Sequence, residues 1–235
     1  MKKDTDMEIK TGHECLRAVI FDFDGVILES ADIKTQAFLD LFADYPEHRE
    51  AILRHHLDNL GISRFRKFEW IYSKLFGRTL EENESRHLGE AFSSIVLGKI
   101  LTCAYVPGAI DCLDALKGSL ALFVASGTPQ QELELIIEKR GLTSFFTEIW
   151  GTPATKVEIV RSVLERFGFE NREILFIGDG LSDFQAAAEV GVPFLARENG
   201  TGDMDWRSIG ARTVTDLKGV PRLLGIGELT VKNAI

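Results

Sequence analysis

The pattern of apolar and polar positions divides the chain into regions of two kinds, one with strand patterns and one with helical spacing only. A short apolar run at residues 19–21 stops at Asp22-Phe23-Asp24-Gly25, and such a run predicts a strand buried on both faces of a parallel sheet. Between residues 31 and 103 no strand pattern occurs, and apolar residues recur at helical spacing. The predicted helices of this block cover residues 31–43, 47–58, 63–76 and 80–101.

Beyond Pro107-Gly108 the pattern changes to short apolar runs that alternate with helical segments, which is typical of βαβ units and a parallel sheet. The predicted strands cover residues 120–125, 174–177 and 192–196, with weaker candidates at 146–150 and 211–214. The predicted helices between them cover residues 109–117, 129–139, 156–167 and 183–190. The sequence therefore predicts an α/β protein in which residues 1–28 and 106–235 form the core domain and residues 29–105 are an inserted helical domain.

The composition of the chain limits the kinds of molecule that it is expected to bind. Thirty-six acidic and 27 basic residues give a formal charge of -9, which argues against binding to nucleic acid or to an anionic membrane. Residues 1–8 lack an apolar segment and are predicted to be a loose leader, and no stretch is long enough to span a bilayer. The odd set Cys15, Cys103 and Cys112 has no C-x-x-C spacing and predicts reduced thiols in a cytoplasmic protein.

Candidate chemistry begins where the first strand ends. If the extended backbone continues, Asp22 and Asp24 point to the same side, so one cation or phosphate can meet both carboxylates. Ligands of parallel sheets bind beyond the carboxyl ends of the strands, which is where these two acids lie.

A second polar signal follows the strand predicted at 120–125. Ser126 and Gly127 precede Thr128 and Gln131, which have the spacing of a capping box, with Pro129 at the first helical position. A helix N-terminus directly after Ser126 would offer backbone N–H groups to phosphoryl oxygens. The alternative is a plain helix cap.

Two further signals follow later in the chain. Lys156 is predicted in the first turn of a helix capped by Thr155, where a cation opposes the helix dipole and so favours a functional role. Gly178-Asp179 ends a strand, and Asp183 opens a helix predicted to be capped by Ser182. Asp22, Asp179 and the main-chain carbonyl of Asp24 can supply oxygen ligands for Mg²⁺, with Asp183 bound directly, through water, or in contact with Asp179.

Taken together and in this order, the four signals resemble the motifs of the haloacid dehalogenase (HAD) superfamily of hydrolases. Residues 21–26 are similar to its first motif, Ser126 to its second, Lys156 to its third, and Asp179 with Asp183 to its fourth. The resemblance spans about residues 19–196. It implies a Rossmann-like three-layer core, and the helical insertion resembles the C1-type cap of the branch that contains phosphoglycolate phosphatases and β-phosphoglucomutase.

The resemblance implies a role for each core residue. Asp22 is then the nucleophile that forms an aspartyl-phosphate, and Asp24 is the general acid and base. Ser126, Gly127 and Lys156 bind the phosphoryl oxygens, and Mg²⁺ shields the charge. The protein is expected to be a Mg²⁺-dependent phosphatase of a small phosphorylated metabolite, and a monomer or weak homodimer. The phosphomutase reaction, which returns the phosphoryl group to the substrate, is the alternative.

A phosphate-responsive receiver module also combines a phosphorylatable aspartate with nearby acids, Ser/Thr and Lys. An insertion of about seventy residues does not suit such a compact domain, so the enzyme hypothesis is preferred.

The inserted helices leave the substrate open. Arg64 and Lys67 lie among aromatic residues and are candidates for substrate specificity. The alternative is an amphipathic helix with Phe65 and Phe68 in the core and the cations in water. His55-His56 lacks a carboxylate at metal-ligand spacing and is predicted to lie on a helix surface.

Overall fold

A six-stranded parallel sheet forms the centre of the protein, and its strand order is β3-β2-β1-β4-β5-β6. The computed structural model describes residues 16–200 and 204–226. The strands are β1 (Ala18–Phe21), β2 (Ala121–Pro129), β3 (Glu148–Thr152), β4 (Ile174–Gly178), β5 (Phe194–Arg197) and β6 (Arg212–Val214).

Nine α-helices accompany the sheet within the described residues. They are α1 (Ala31–Leu41), α2 (Arg49–Asp58), α3 (Arg64–Lys74), α4 (Glu82–Ile100), α5 (Ala109–Leu116), α6 (Gln130–Lys139), α7 (Lys156–Phe167), α8 (Leu181–Val190) and α9 (Val220–Leu223). Among these, no helix combines the length and the apolar character needed to cross a membrane.

Two apolar clusters cover the two faces of the sheet, because alternate residues of a strand point to opposite sides. Val19 and Phe21 of β1 join the cluster that contains α5, α6 and the helices of the insertion. Ala18 and Ile20 join the opposite cluster, which contains residues of α7 and α8. This helix-sheet-helix arrangement confirms the predicted α/β, three-layer fold.

The block from α1 to α4 contains helices and no sheet strand, as the apolar spacing predicts. Its core is rich in aromatic rings, with Phe38 packed against Phe68 and Phe92 at centroid distances of 5.6 and 4.8 Å. The exact division into residues 1–28 with 106–235 and residues 29–105 stays a prediction.

Several local predictions were wrong. β1 ends at Phe21, so Asp22 and Asp24 do not continue one extended strand. α6 begins at Gln130 without a side-chain cap, and the Thr128 hydroxyl is used elsewhere. The short helix α9 was not predicted.

Cys103 and Cys112 are free thiols, as predicted, whereas Cys15 and the leader at residues 1–8 lie outside the described residues.

Candidate active site

The predicted motifs meet at the point where the order of strands reverses. β1 pairs with β2 on one side and with β4 on the other, so the connections that leave these strands diverge and open a crevice at their carboxyl ends. Asp22 follows β1 directly, and Asp179 follows β4. The backbone N–H of Asp22 donates to the carbonyl of Ile177 at 2.8 Å, which ties the two strand ends together.

Three buried carboxylates gather around one ammonium group in this crevice. Asp22, Asp179 and Asp183 each place a carboxylate oxygen within 4.8 Å of the others. Lys156 Nζ lies 3.0 Å from Asp22 Oδ2 and also donates to Asp183 Oδ1. The predicted capping box of Thr155 and Glu158 is present and begins α7 at Lys156, so the local sequence positions this ammonium group.

The charges in the cluster are unbalanced. Burial, together with Asp183 and Asp24, raises the pKa of Asp22 to about 7, although Lys156 acts in the opposite direction. Burial and the charge of Asp22 raise the pKa of Asp179 well above 3.8. Burial disfavours the Lys156 ammonium, but Asp183 and Asp22 outweigh it and raise its pKa. Crowded carboxylates with surplus negative charge are the oxygen donors that suit a divalent cation such as Mg²⁺.

Gly25 is required by the shape of this crevice. Its φ is +76°, and a Cβ at this position would overlap the Asp179 carboxylate and approach Asn199 Nδ2 to 3.0 Å. Arg197 Nη1 donates to the Gly25 carbonyl at 2.9 Å, and Asn199 Nδ2 donates to Asp179 Oδ2 at 2.5 Å. A side chain at residue 25 would therefore displace an acid of the cluster.

Asp183 has a hydrogen bond on each carboxylate oxygen. Oδ1 accepts from Lys156, and Oδ2 accepts from the backbone N–H of Gly180 at 3.0 Å.

The predicted cap at Ser182 was wrong, because α8 already begins at Leu181. The Ser182 hydroxyl instead donates to the carbonyl of Leu60 at 2.8 Å, which joins the core to the helical insertion.

Asp24 lies in a separate polar network. Its Oδ1 accepts from the Ser30 hydroxyl at 2.7 Å, and its Oδ2 accepts from Lys34 and, at 3.1 Å, from the Thr128 hydroxyl. Burial disfavours the carboxylate, but the charge and hydrogen bond of Lys34 and those two hydroxyls lower its pKa below 3.8. The side chains of Asp22 and Asp24 therefore have different partners.

Ser126 and Gly127 lie at the end of β2 beside a loop of the insertion. Ser126 is buried, and its Oγ accepts from the backbone N–H of Thr128 at 3.1 Å. Ser126 and Lys156 line a cavity of about 340 Å³, whereas Asp22 lines a neighbouring cavity. Gly61 and Gly127 line both of them.

The loop at Gly61, which belongs to the helical insertion, lies against the site residue Lys156. Gly61 has a φ of +79°, and a Cβ there would lie 2.5 Å from both Lys156 Nζ and Ser182 Oγ. In the sequence this glycine marks only a break between helices. The tertiary structure shows that it also permits close approach of the insertion to the catalytic lysine candidate.

Arg64 and Lys67 are buried, so the alternative that places these two cations in water was wrong. Arg64 is 4% exposed and forms a two-fold contact with Glu132 of α6, with N–O distances of 3.0 and 2.6 Å. Lys67 is 3% exposed. Of the three cations in residues 64–67, only Arg66 has a largely exposed side chain. Phe68 is fully buried in the core, as predicted.

The prediction of a surface position was also wrong for His56, which is 3% exposed. Thr35 Oγ1 donates to the Ala31 carbonyl at 3.0 Å and lies 3.1 Å from His56 Nε2. Nε2 is therefore assigned as the protonated nitrogen, and Nδ1 accepts from Lys67 Nζ at 3.0 Å. Burial and the nearby charge of Lys67 lower the pKa of His56 to about 2, so the ring is neutral.

A central cavity connects the insertion with the acids of the core. Its volume is about 50 Å³. Asp22, Asp24 and Asp179 line its floor. The insertion contributes charged or titratable side chains at Lys34, His56, Arg64 and Lys67.

The sequence patterns did not indicate a role in the site for Lys34, His56 or Thr128. A signal for Lys34 is present, because Lys34 and Phe38 are four residues apart on one face of α1 and Phe38 is a core residue. Nothing local distinguishes His56, whose partners come from α1 and α3.

The buried, neutral His56 predicts a pH-dependent loss of stability. Its folded-state pKa lies below its ordinary value of 6.5, so the unfolded chain binds the proton first and stability falls as the pH drops below 6.5. We expect this residue to contribute about 2 kcal/mol of stability loss between pH 7 and pH 5. Urea unfolding in EDTA at both pH values measures the loss, which His56→Gln should reduce by that amount. The exposed-site control His87→Gln should behave as wild type, and an equal loss in His56→Gln would contradict the assignment.

Comparison with known proteins agrees with the geometry. Residues 19–197 match the family model described as haloacid dehalogenase-like hydrolase. A phosphoglycolate phosphatase of Synechococcus elongatus is 28% identical over 185 residues, which cover 75% of this chain and 81% of the relative.

Solved structures share the fold. A predicted phosphoglycolate phosphatase from Haemophilus somnus has a TM-score of 0.69 and 19% identity, over 88% of this chain and 97% of its own. The HAD-hydrolase YfnB of Bacillus subtilis, solved with magnesium bound, has a TM-score of 0.64 and 18% identity, over 90% of this chain and 100% of its own. With the family model matched across the core and the acidic cluster at the strand ends, this chain belongs to the haloacid dehalogenase-like hydrolase family and is a phosphatase.

Proposed function

We propose that this phosphatase is Mg²⁺-dependent and hydrolyses a small phosphorylated metabolite through an aspartyl-phosphate on Asp22. The observation that carries the proposal is the cluster of Asp22, Asp179 and Asp183 around Lys156 at the switch point of the sheet. A second carboxylate, Asp24, lines the same cavity with separate hydrogen-bond partners, which suits a different role.

Asp22 is the proposed nucleophile. Its Oδ1 accepts from the backbone N–H of Phe23 at 2.7 Å, and its Oδ2 contacts Lys156, so both oxygens are held in place. Attack forms a bond from the carboxylate oxygen to phosphorus while the bond from phosphorus to the leaving oxygen breaks. Water then attacks the same phosphorus and releases inorganic phosphate and free Asp22.

The donor set around Asp22 fits Mg²⁺. Asp22, Asp179 and the main-chain carbonyl of Asp24 would hold the ion, and Asp183, whose carboxylate lies in the same cluster, would bind it directly or through water. When bound, Mg²⁺ shields the repulsion between Asp22 and the phosphoryl oxygens.

The phosphoryl oxygens need further donors. Ser126 Oγ accepts one hydrogen bond, which leaves its own hydrogen to donate, and Lys156 supplies a positive charge beside Asp22. Gly127, which lines the central cavity next to Asp22, completes the proposed phosphoryl site.

Asp24 is the proposed proton carrier. It gives a proton to the leaving alcohol and later takes one from the attacking water. Lys34 keeps its carboxylate ionised in the free protein, so Asp24 must gain a proton before the first step. Lys34 and the Thr128 hydroxyl both donate hydrogen bonds to Asp24, so two groups that carry protons lie directly beside its carboxylate.

The relatives named phosphoglycolate phosphatase support phosphoglycolate as the substrate. The test is release of inorganic phosphate from a panel of phosphoglycolate, glycerol 3-phosphate, β-glucose 1-phosphate and AMP, with Mg²⁺ or with EDTA. We expect release in Mg²⁺, fastest from phosphoglycolate, and none in EDTA.

Two results would contradict the proposal. Phosphate release from no member of the panel would contradict hydrolysis, and full release in EDTA would contradict the metal site. Isomerisation of β-glucose 1-phosphate without free phosphate would instead favour the phosphomutase reaction.

A further inference from the structure

Three cations of the helical insertion line the central cavity, and two of them already have carboxylate partners. Arg64 is held by Glu132, and Lys34 contacts Asp24. Each of these charges is balanced before any substrate enters. Neither is therefore well placed to supply a free positive charge to a ligand.

Lys67 differs from both. Its Nζ donates to His56 Nδ1 at 3.0 Å and to the His56 carbonyl at 3.3 Å, and both acceptors are neutral. Among the described residues no carboxylate forms an ion pair with it. An ammonium group has three hydrogens to donate, so one remains beyond the two that His56 accepts.

Burial makes this remaining donor significant. Lys67 is 3% exposed and lines the central cavity together with Asp22. A buried ammonium without a counter-ion is costly unless a ligand brings the opposite charge. Because Lys67 lines the same cavity as Asp22, the charge that it would meet lies close to the phosphate, as it does in a short molecule.

We propose that Lys67 binds a carboxylate on the leaving group of the substrate, and so selects phosphate esters of short hydroxy acids over esters of uncharged alcohols. This inference rests on the proposed phosphatase function and assigns its specificity to one residue. Arg64 acts differently, because its pair with Glu132 holds the insertion against the core.

The charges around Lys67 agree with this role. Burial, with Lys34 of α1 and Lys156 of α7, lowers its pKa to about 7, while Asp24 and Asp179 act in the opposite direction. The other groups against it are the neutral ring of His56 and the face of Phe38, whose centroid is 5.3 Å from Nζ. A carboxylate ligand would stabilise the ammonium form, so its binding should weaken as the pH rises above 7.

The test compares two substrates of nearly equal size, phosphoglycolate and 2-hydroxyethyl phosphate, in which a hydroxymethyl group replaces the carboxylate. Wild type should favour phosphoglycolate in kcat/KM. In Lys67→Met this preference should fall about 100-fold, mainly through a higher KM for phosphoglycolate. Lys74→Met, the same change at an exposed position of α3, should keep the wild-type preference.

A purely structural role of Lys67 would give another result. Loss of packing would lower kcat/KM for both esters alike, and that outcome, or an unchanged preference, would overturn the inference while leaving the phosphatase function intact. Equal turnover of the two esters by wild type would also overturn it. If wild type releases phosphate from no ester of the panel, the proposed function fails and the inference with it. Thermal unfolding of Lys67→Met and Lys74→Met verifies that both variants fold.

Discussion

Asp22→Asn is expected to lower phosphate release by about 10⁴-fold or more, because the amide cannot form the phosphoenzyme bond. The change is nearly isosteric. The Asn side-chain oxygen can still accept the hydrogen bond that Phe23 N–H gives to Asp22. Phosphate release in Mg²⁺ from the best substrate of the panel measures the loss.

The same variant should not lose stability in EDTA. Burial raises the pKa of Asp22 to about 7, and Asp183 and Asp24 add to that effect, so removal of this charge relieves repulsion in the metal-free cluster. We expect a Tm equal to or above that of wild type. The exposed-site control Asp114→Asn should keep full activity. Activity of Asp22→Asn within tenfold of wild type would refute the nucleophile assignment.

Lys156→Met is expected to destabilise the metal-free protein by about 3 to 5 kcal/mol, because Asp22 and Asp183 then lose their shared buried cation. For a chain of this size the expected fall in Tm in EDTA is about 10 °C. Phosphate release should also fall strongly, since the same ammonium group is proposed to meet the phosphoryl oxygens.

Mg²⁺ separates this electrostatic explanation from simple loss of packing. An ion bound among the same carboxylates supplies positive charge, so Mg²⁺ should raise the Tm of Lys156→Met by more than it raises that of wild type. Lys139→Met, a matched change at an exposed site of α6, should unfold as wild type does. An equal effect of Mg²⁺ on wild type and Lys156→Met would count against a shared charge cluster.

Most elements of the core could be predicted from the sequence because their signals are local. Thr155 and Glu158 form a capping box within four residues, and the structure has that box and begins α7 at Lys156. The apolar runs before Asp22 and Asp179 indicate strands, and parallel pairing then brings both acids to one edge of the sheet.

Where a polar side chain had competing partners, the local rule failed. Thr128 has the spacing of a cap, yet its hydroxyl donates to Asp24, which is 104 positions away in sequence. Ser182 likewise donates to Leu60 of the insertion instead of capping α8. In both cases a long-range acceptor in a buried site outweighs a cap of about 1 kcal/mol.

The sequence by itself determined the class of the fold, the place of the inserted helices and the acidic centre, because strand periodicity and motif spacing depend on neighbouring residues. Only the tertiary structure decided which cations of the insertion are already neutralised. Arg64 and Lys67 lie three residues apart on α3, but Glu132 of α6 pairs with the first and neutral His56 of α2 contacts the second. Charge balance in a buried site depends on such distant partners, and the substrate preference proposed for Lys67 follows from it.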